Sequence, residues 1–247
     1  MKRSNVLLAG AVIGAVGYAA FFRPRSMRWG ATWRERSRIW AGDGFMPEPV
    51  TRSVRVITIH APAERVWPWI AQIGQDRGGF YSYTSLENLV GAEMKNAEEI
   101  HPEWQHRNIG DKVWLGAPSR FEGKAHLIVA RWVPGRSMVL VAPPDWERIT
   151  QGKTADHTVW SFIVEPISPK SCRLVARSLG GPGQSTAGKL ANYIFWEPAH
   201  FIMERGMMLG IKTRVEEREQ KPLPIRIIET AAAFGNSAQK LRALRGR

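Results

Sequence analysis

The chain has 247 residues and is 44% hydrophobic and 10% aromatic, which excludes a disordered protein and supplies one domain with a core. Its single cysteine, Cys172, excludes an internal disulfide framework. The net charge of +13 is concentrated at the ends: residues 1–38 carry eight basic and one acidic side chains, and residues 239–247 carry four basic and no acidic ones. The middle of the chain is nearly neutral.

The first predicted element is a membrane-spanning helix within residues 1–22. Residues 5–22 carry no charge, and a helix of this length spans roughly 27 Å, enough for the apolar core of a bilayer. Gly10, Gly14 and Gly17 give this helix a small-residue face that suits close packing against another helix.

The arginines that follow the span predict its orientation. Six of them lie within residues 23–38, against Lys2 and Arg3 before the span, and this positive-inside bias predicts a cytoplasmic domain. One alternative is a signal peptide cleaved after Ala19 or Ala20, which would make the protein secreted. The other is a buried core helix.

Residues 23–51 are interpreted as a basic juxtamembrane linker. Trp29, Trp33 and Trp40 are interspersed with the arginines, a mixture that suits an anionic membrane surface. Nucleic acid is the other common acceptor for arginine with aromatic residues. Because a membrane span lies directly upstream, we expect a membrane partner and no nucleic acid.

The globular domain is predicted over residues 52–220. Alternation predicts a first strand over residues 54–60, and an apolar stripe with a stop at Gly74 predicts a helix from Ala61. A short helix follows at Thr84–Val90. Five further strand-like runs, separated by turns rich in proline and glycine, predict an antiparallel meander over residues 112–115, 124–133, 137–142, 157–165 and 172–178.

A long C-terminal helix is predicted from Thr186, its N-cap, to Gln220. Apolar residues recur along it at spacings of three, four or seven, and they include Phe201, Met208 and Val215. Pro198 removes a backbone donor inside this pattern, so we expect a kink or short break near Trp196–Pro198. Residues 221–247 are expected to form a basic, partly helical tail.

Four motifs resemble an uncharacterised bacterial branch of the helix-grip superfamily, which includes START domains, birch-pollen-allergen-like proteins and polyketide cyclases/dehydrases. They are the runs Ile57–Trp69, Gly79–Tyr83, Asn108–Asp111 and Trp196–His200. The resemblance covers about residues 51–220. It implies an α+β fold in which a curved antiparallel sheet wraps around the last helix, with an apolar cavity between them. The fold hosts carriers and enzymes alike.

Large aromatic residues and flexible methionines are the candidate ligand contacts, because both suit an irregular apolar cavity. Ordinary core packing is the alternative for each. The candidates are Trp69, Phe80, Tyr81, Tyr83, Trp114, Trp160, Trp196, His200, Met203 and Met207.

Three residues are candidates for acid/base chemistry: His200, Glu204 and Tyr83. His200 and Glu204 are four residues apart and share one face of a helix, where a satisfied structural pair is the alternative. The leading function hypothesis is membrane-tethered binding or transfer of a lipid-like or other hydrophobic small molecule. A polyketide cyclase/dehydrase-like enzyme and a membrane scaffold are the alternatives, and the oligomeric state stays open.

No cofactor or metal is expected. The run of residues 183–189 resembles a phosphate-binding loop, but Leu190 replaces the magnesium-binding Ser or Thr. His101 and His106 lack a third ligand. Cys172 lies on a predicted strand and is interpreted as a buried, inert thiol.

Overall fold

The computed structural model of the chain describes residues 14, 16–182 and 192–217. Most of the predicted membrane-spanning stretch lies outside the described residues, and so do the N-cap Thr186, the glycine-rich residues 183–189 and the tail 221–247. Among the described residues, none of the helices combines the length and apolarity that crossing a membrane requires.

Six α-helices and six strands are the main elements of the described part of the chain. The helices are α1 (Arg23–Ser26), α2 (Trp33–Ser37), α3 (Ala63–Ala71), α4 (Thr84–Leu89), α5 (Pro143–Thr150) and α6 (Glu197–Glu217). The strands are β1 (Thr51–Ile59), β2 (Lys112–Trp114), β3 (His126–Val133), β4 (Ser137–Val141), β5 (Thr158–Ser168) and β6 (Ser171–Gly180). Single turns of π-helix, Tyr18–Phe22 and Asn192–Trp196, precede α1 and α6.

All six strands belong to one antiparallel sheet with the order β1-β6-β5-β4-β3-β2. The first strand pairs with the last, so that Val56 lies opposite Val175, while the remaining neighbours follow the meander that the turns predicted. The sheet curves around α6, and this α+β arrangement fits the predicted helix-grip fold.

The main core lies between the inner face of the sheet and helices α3 and α6. Leu140 and Phe162 project from the sheet and belong to one apolar cluster with Ile70 of α3 and Met208 and Ile211 of α6. These five side chains are fully buried. At about 25 cal/mol per Å² of apolar surface removed from water, this core supplies the main stabilisation of the fold.

The outer face of the sheet is also covered, which the sequence analysis did not predict. Ala31 and Trp40 pack there against Val54, Val56 and Val175, although residues 23–51 were interpreted as a linker. Val139 and Val141 of β4 belong to a second outer cluster with Met46, so both faces of β4 are covered and every residue of this strand is buried. A strand with two covered faces is apolar throughout instead of alternating.

Helix α5 corrects a second expectation. The meander predicts a proline-rich turn directly after residue 142, whereas Pro143–Pro144 at this place begins the eight-residue helix α5. Proline suits the first turn of a helix because the amide groups there need no partner within the helix. In α6, by contrast, the change from π to α geometry falls at Trp196–Glu197, where Pro198 predicted a kink or break.

Candidate functional site

A cavity of about 770 Å³ lies between the sheet, helix α6 and the N-terminal segment. Its wall is mostly apolar and combines aromatic, aliphatic and methionine side chains. The apolar residues of the wall are Met27, Val50, Phe80, Leu115, Leu127, Trp160, Leu179, Tyr193, Trp196, Met203 and Met207.

Arg55 and Glu204 form a buried ion pair in this wall. Arg55 lies on β1 between Val54 and Val56, which face outward, so the strand period directs its side chain inward. Glu204 lies on the inner face of α6. Arg55 Nη1 donates to Glu204 Oε2 at 2.5 Å, and the two side chains are 2% and 0% exposed.

Further donors complete the hydrogen bonding of the pair. Trp160 Nε1 donates to Glu204 Oε1 at 2.6 Å, and Ser178 Oγ lies 3.4 Å from the same oxygen. Arg55 Nε donates to the backbone oxygen of Ser26 at 2.8 Å. Burial opposes ionisation of Glu204, but Arg55 and the other neighbours outweigh it and hold the pKa of Glu204 below its usual value. Glu204 is therefore a carboxylate at neutral pH.

His200 lies one helical turn before Glu204 and faces the cavity. Its Nδ1 is 3.5 Å from Arg55 Nη1, and because arginine only donates, Nδ1 is the acceptor. The proton of the neutral ring then sits on Nε2, which lies 3.7 Å from Glu204 Oε1. Burial lowers the pKa of His200, with Arg55 adding to the shift and Glu204 opposing it. The ring is therefore neutral at pH 7.

Glu87 is a wall residue that the sequence analysis missed. It lies on the short helix α4, is 9% exposed, and its Oε2 has no hydrogen-bond partner among the described residues. Burial raises the pKa of Glu87 to about 7. One carboxylate on a six-residue helix has no spacing signal, so only the structure places it at the cavity.

The wall contains six of the ten residues predicted as ligand contacts: Phe80, Trp160, Trp196, His200, Met203 and Met207. The other four, Trp69, Tyr81, Tyr83 and Trp114, lie outside it. Trp69 is a core residue that contacts Tyr81 edge-on, with ring centroids 5.3 Å apart. Trp114 stands on the edge strand β2 beside His126, with ring centroids 5.0 Å apart.

The loop that carries Tyr81 and Tyr83 packs against the backbone of α6, and its Phe80 and Ser82 line the cavity while the two tyrosines do not. A Cβ atom at Gly210 would overlap the Tyr81 carbonyl oxygen, and one at Gly206 would lie 2.7 Å from the Tyr83 ring. The Gly206–Gly210 spacing is a sequence signal for this close approach. Of the three acid/base candidates, the structure brings His200 and Glu204 together and leaves Tyr83 outside the cavity wall.

One cluster in the described part of the chain has a spacing compatible with a metal ion: Asp145, Asp156 and His157. Asp145 is fully buried, and its oxygens accept backbone amides from Asp156, His157 and Thr158 at 2.8, 3.1 and 2.7 Å. Through these bonds the cluster joins helix α5 to the start of strand β5, which accounts for its close spacing without a metal ion. Cys172 is buried, as predicted, and burial raises the pKa of its thiol to about 11, which disfavours the reactive thiolate at neutral pH.

No protein-family model matches the sequence, and no curated protein matches it. Similar solved structures include CalC, a self-sacrificing resistance protein from Micromonospora echinospora, at 9% identity, 69% coverage of this chain, 97% of that chain and a TM-score of 0.39. A polyketide-cyclase-like protein from Corynebacterium glutamicum has 14% identity, 71% and 96% coverage and a TM-score of 0.33. The Aha1 dimer from Colwellia psychrerythraea has 14% identity, 68% and 97% coverage and a TM-score of 0.34.

Proposed function

We propose that the protein binds a lipid-like or other apolar small molecule in the cavity, while an N-terminal helix tethers it to a membrane. The observation that carries the proposal is an apolar cavity of about 770 Å³. Ligand pockets of proteins typically measure about 300–1,000 Å³ and combine apolar walls with a few polar groups. Met203 and Met207 suit ligands of varied shape, because methionine side chains adapt to irregular surfaces.

The surroundings of the cavity support the membrane tether. The Tyr18 hydroxyl donates to the backbone carbonyl oxygen of Tyr193 at 2.9 Å, and Arg23 pairs with Glu197 at 2.7 Å. The N-terminal segment, residues 18–27, therefore packs beside the start of α6. Arg23, Tyr193 and Glu197 also line the cavity.

Large apolar side chains on the same two segments face solvent, where they suit a bilayer surface. Phe21, Phe195 and Trp196 are 63%, 61% and 60% exposed. The uncharged residues that precede this surface would continue into the bilayer, and the arginines after them favour a cytoplasmic domain. A ligand would then pass between bilayer and cavity over a short apolar path.

Native mass spectrometry of the purified full chain tests the ligand proposal. We expect co-purified apolar molecules, and we expect Met203→Trp to reduce their amount with little loss of stability, because the added volume enters the cavity. In a close-packed core the same change costs about 1–3 kcal/mol. Leu86→Trp is the control, since Leu86 is 48% exposed and lies outside the wall. A ligand-free wild type, or equal occupancy in Met203→Trp, would contradict the proposal.

Membrane fractionation tests the tether separately. The full chain is expected to stay in the pellet after an alkaline carbonate wash, at its uncleaved mass. Recovery of a shortened, soluble chain would support the signal-peptide alternative instead. Fusions of a fluorescent protein or a phosphatase to the C-terminus distinguish the two orientations, and a bright, phosphatase-inactive pair is expected.

The second candidate function is an enzyme of the polyketide cyclase/dehydrase kind. It is favoured by the neutral His200 ring, which faces the cavity beside the Glu204 carboxylate. There His200 would exchange a proton with a poly-carbonyl substrate that the cavity orients. His200→Ala is then expected to lower turnover of such a substrate by roughly 10²–10⁴-fold with ligand binding retained. Unchanged product formation would remove this candidate.

A further inference from the structure

Glu87 differs from Glu197 and Glu204, the other carboxyl groups in the described part of the cavity wall, because no positively charged side chain pairs with it. Arg55 is bound by Glu204 and Arg23 by Glu197. Arg52 also belongs to the wall, but it is exposed at the edge strand β1. The two remaining titratable groups are His200, which lies against Arg55 and Glu204, and Tyr193, whose ring lies 4.9 Å from the Arg23 guanidinium.

Backbone hydrogen bonds connect Glu87 to the β2 edge of the sheet, opposite the edge that carries Arg55. The Ala92 amide donates to the backbone carbonyl oxygen of Glu87 at 3.1 Å, and the Ala117 amide donates to the backbone carbonyl oxygen of Ala92 at 3.0 Å. Ala117 follows β2, whereas Arg55 lies on β1, and these strands are the two opposite edges of the sheet. The cavity therefore has a satisfied polar cluster near β1 and an unsatisfied carboxyl group near β2.

An unpaired carboxyl group in an apolar wall is costly as a carboxylate and leaves hydrogen-bonding capacity unused. A bound cationic nitrogen would remove both deficits, because it supplies the opposite charge and the missing donor. A ligand carboxylate or phosphate would meet repulsion at the same place. The wall cations Arg23 and Arg55 cannot compensate for it without giving up their own partners, and Arg52 is exposed on β1, at the opposite edge of the sheet from β2.

We propose that Glu87 selects apolar ligands that carry a basic amine, holding the ammonium group by a charge-assisted hydrogen bond inside the cavity. This proposal rests on the proposed ligand-binding function and specifies its ligand class. An amine would enter with its apolar part along the aromatic and methionine wall and its nitrogen at the Glu87 carboxyl group, which lines the cavity.

The test compares octylamine, 1-octanol and octanoate, which share one apolar chain and differ in the head group. Binding to the full chain in amphipol is measured by calorimetry, with binding to amphipol alone subtracted. We expect wild type to bind octylamine roughly ten- to a hundredfold more tightly than octanol, and octanoate most weakly. The octylamine preference should grow from pH 6 to pH 8, as the Glu87 carboxyl group loses its proton.

Glu87→Gln is expected to abolish the octylamine preference and its pH dependence, while octanol still binds. Glu147→Gln is the matched control, because Glu147 is exposed and lies outside the wall. Octanol binding without any preference for octylamine, or a preference that survives in a folded Glu87→Gln variant, would overturn this inference alone. Failure of all three probes to bind would overturn the ligand-binding function as well.

Discussion

Arg55 and Glu204 place two opposite charges where almost no water reaches them. Removing both charges from water costs several kcal/mol per ion, and their attraction offsets this only if the remaining hydrogen-bonding groups are satisfied. Trp160 and Ser26 supply those partners from β5 and from the end of α1. The pair thus connects the N-terminal segment, the sheet and α6, and each charge depends on the other.

Replacing one charge of this pair is therefore expected to be strongly destabilising. Glu204→Gln leaves Arg55 buried without a counter-charge, which lowers the free energy of unfolding by about 3–5 kcal/mol at pH 7. Urea unfolding measures the loss. Glu165→Gln is the control, because the Arg38–Glu165 pair has side chains that are 53% and 23% exposed and should contribute less than about 1 kcal/mol. Equal losses in the two variants would contradict the buried-pair argument.

His200 and Glu87 predict opposite effects of acid on stability. Burial lowers the pKa of His200, so the unfolded chain binds that proton more readily, and stability falls as the pH drops below about 6.5. Burial raises the pKa of Glu87 to about 7, so its buried charge costs stability above pH 7, and this cost disappears as the pH falls towards 4.5. Glu204, with its lowered pKa, loses its contribution only below about 4.5.

Urea unfolding between pH 7.5 and pH 5 separates these two contributions. Glu87→Gln should lose more stability on acidification than wild type, because the variant no longer gains stability from protonating the buried Glu87 carboxylate. His200→Gln should lose less stability than wild type, because the variant no longer has a buried imidazole that protonates more readily in the unfolded chain. Curves that run parallel for wild type and both variants would contradict these assignments.

Helix α6 packs against two parts of the molecule, the main core and the loop of Tyr81 and Tyr83. Met208, Ile211 and Val215 pack into the main core, while Gly206 and Gly210 allow the loop of Tyr81 and Tyr83 to lie directly on the helix backbone. Ser82 Oγ also donates to the Met203 oxygen, at 2.9 Å, which joins the loop to the helix beside the cavity. The position of Met203 in the wall therefore depends on the close approach of this loop.

A side chain at Gly210 is expected to disrupt that approach. Gly210→Ala adds a methyl group that overlaps the Tyr81 carbonyl oxygen, so we expect a loss of about 1–3 kcal/mol, although alanine is the better helix former. Chemical denaturation measures this loss in the free energy of unfolding. Gly44→Ala is the control, because its Cβ would meet no atom within 4 Å, and it should stay within about 0.5 kcal/mol of wild type. A neutral Gly210→Ala would mean that the loop does not rest on α6.

At the scale of the whole molecule, the sheet is enclosed between α6 on one face and residues 31–46 on the other. Arg177 on β6 pairs with Asp43 at 2.9 Å, and Arg173 pairs with Glu35 at 2.8 Å. The Val54 amide also donates to the Met27 oxygen at 2.8 Å, so the residues just before this stretch cover the edge strand β1. Residues 27–46 therefore belong to the folded domain, and a protein truncated at residue 51 would expose an apolar sheet face and a free edge.

Trp40 provides a direct measure of that contribution. Trp40 is 4% exposed, and its Nε1 donates to the backbone carbonyl oxygen of Glu35 at 2.8 Å. Trp40→Ala is expected to cost about 3–5 kcal/mol in thermal or urea unfolding. Trp33→Ala, at a position that is 72% exposed, should change stability by less than about 0.5 kcal/mol. Similar effects of the two variants would restore the linker interpretation.

The sequence by itself determined the strands, their order along the chain and the antiparallel meander. These features arise locally: side-chain alternation has a period of two residues, and turns at Pro134-Gly135 and Ser168-Pro169-Lys170 reverse the chain within a few residues. The motifs that resemble the helix-grip superfamily added the sheet wrapped around α6. Local signals failed at Pro143–Pro144, because proline begins helices as well as turns.

Only the tertiary structure decided which side chains meet at the cavity. Arg55 and Glu204 are 149 residues apart, and nothing within a few residues of either indicates the other. Trp69 and Trp160 look alike in sequence and both belong to the core cluster, yet of the two only Trp160 also lines the cavity. Such differences depend on how the whole sheet curves around α6 and what covers its two faces. The role of a side chain in the wall is therefore set by packing between distant segments, which local periodicity does not encode.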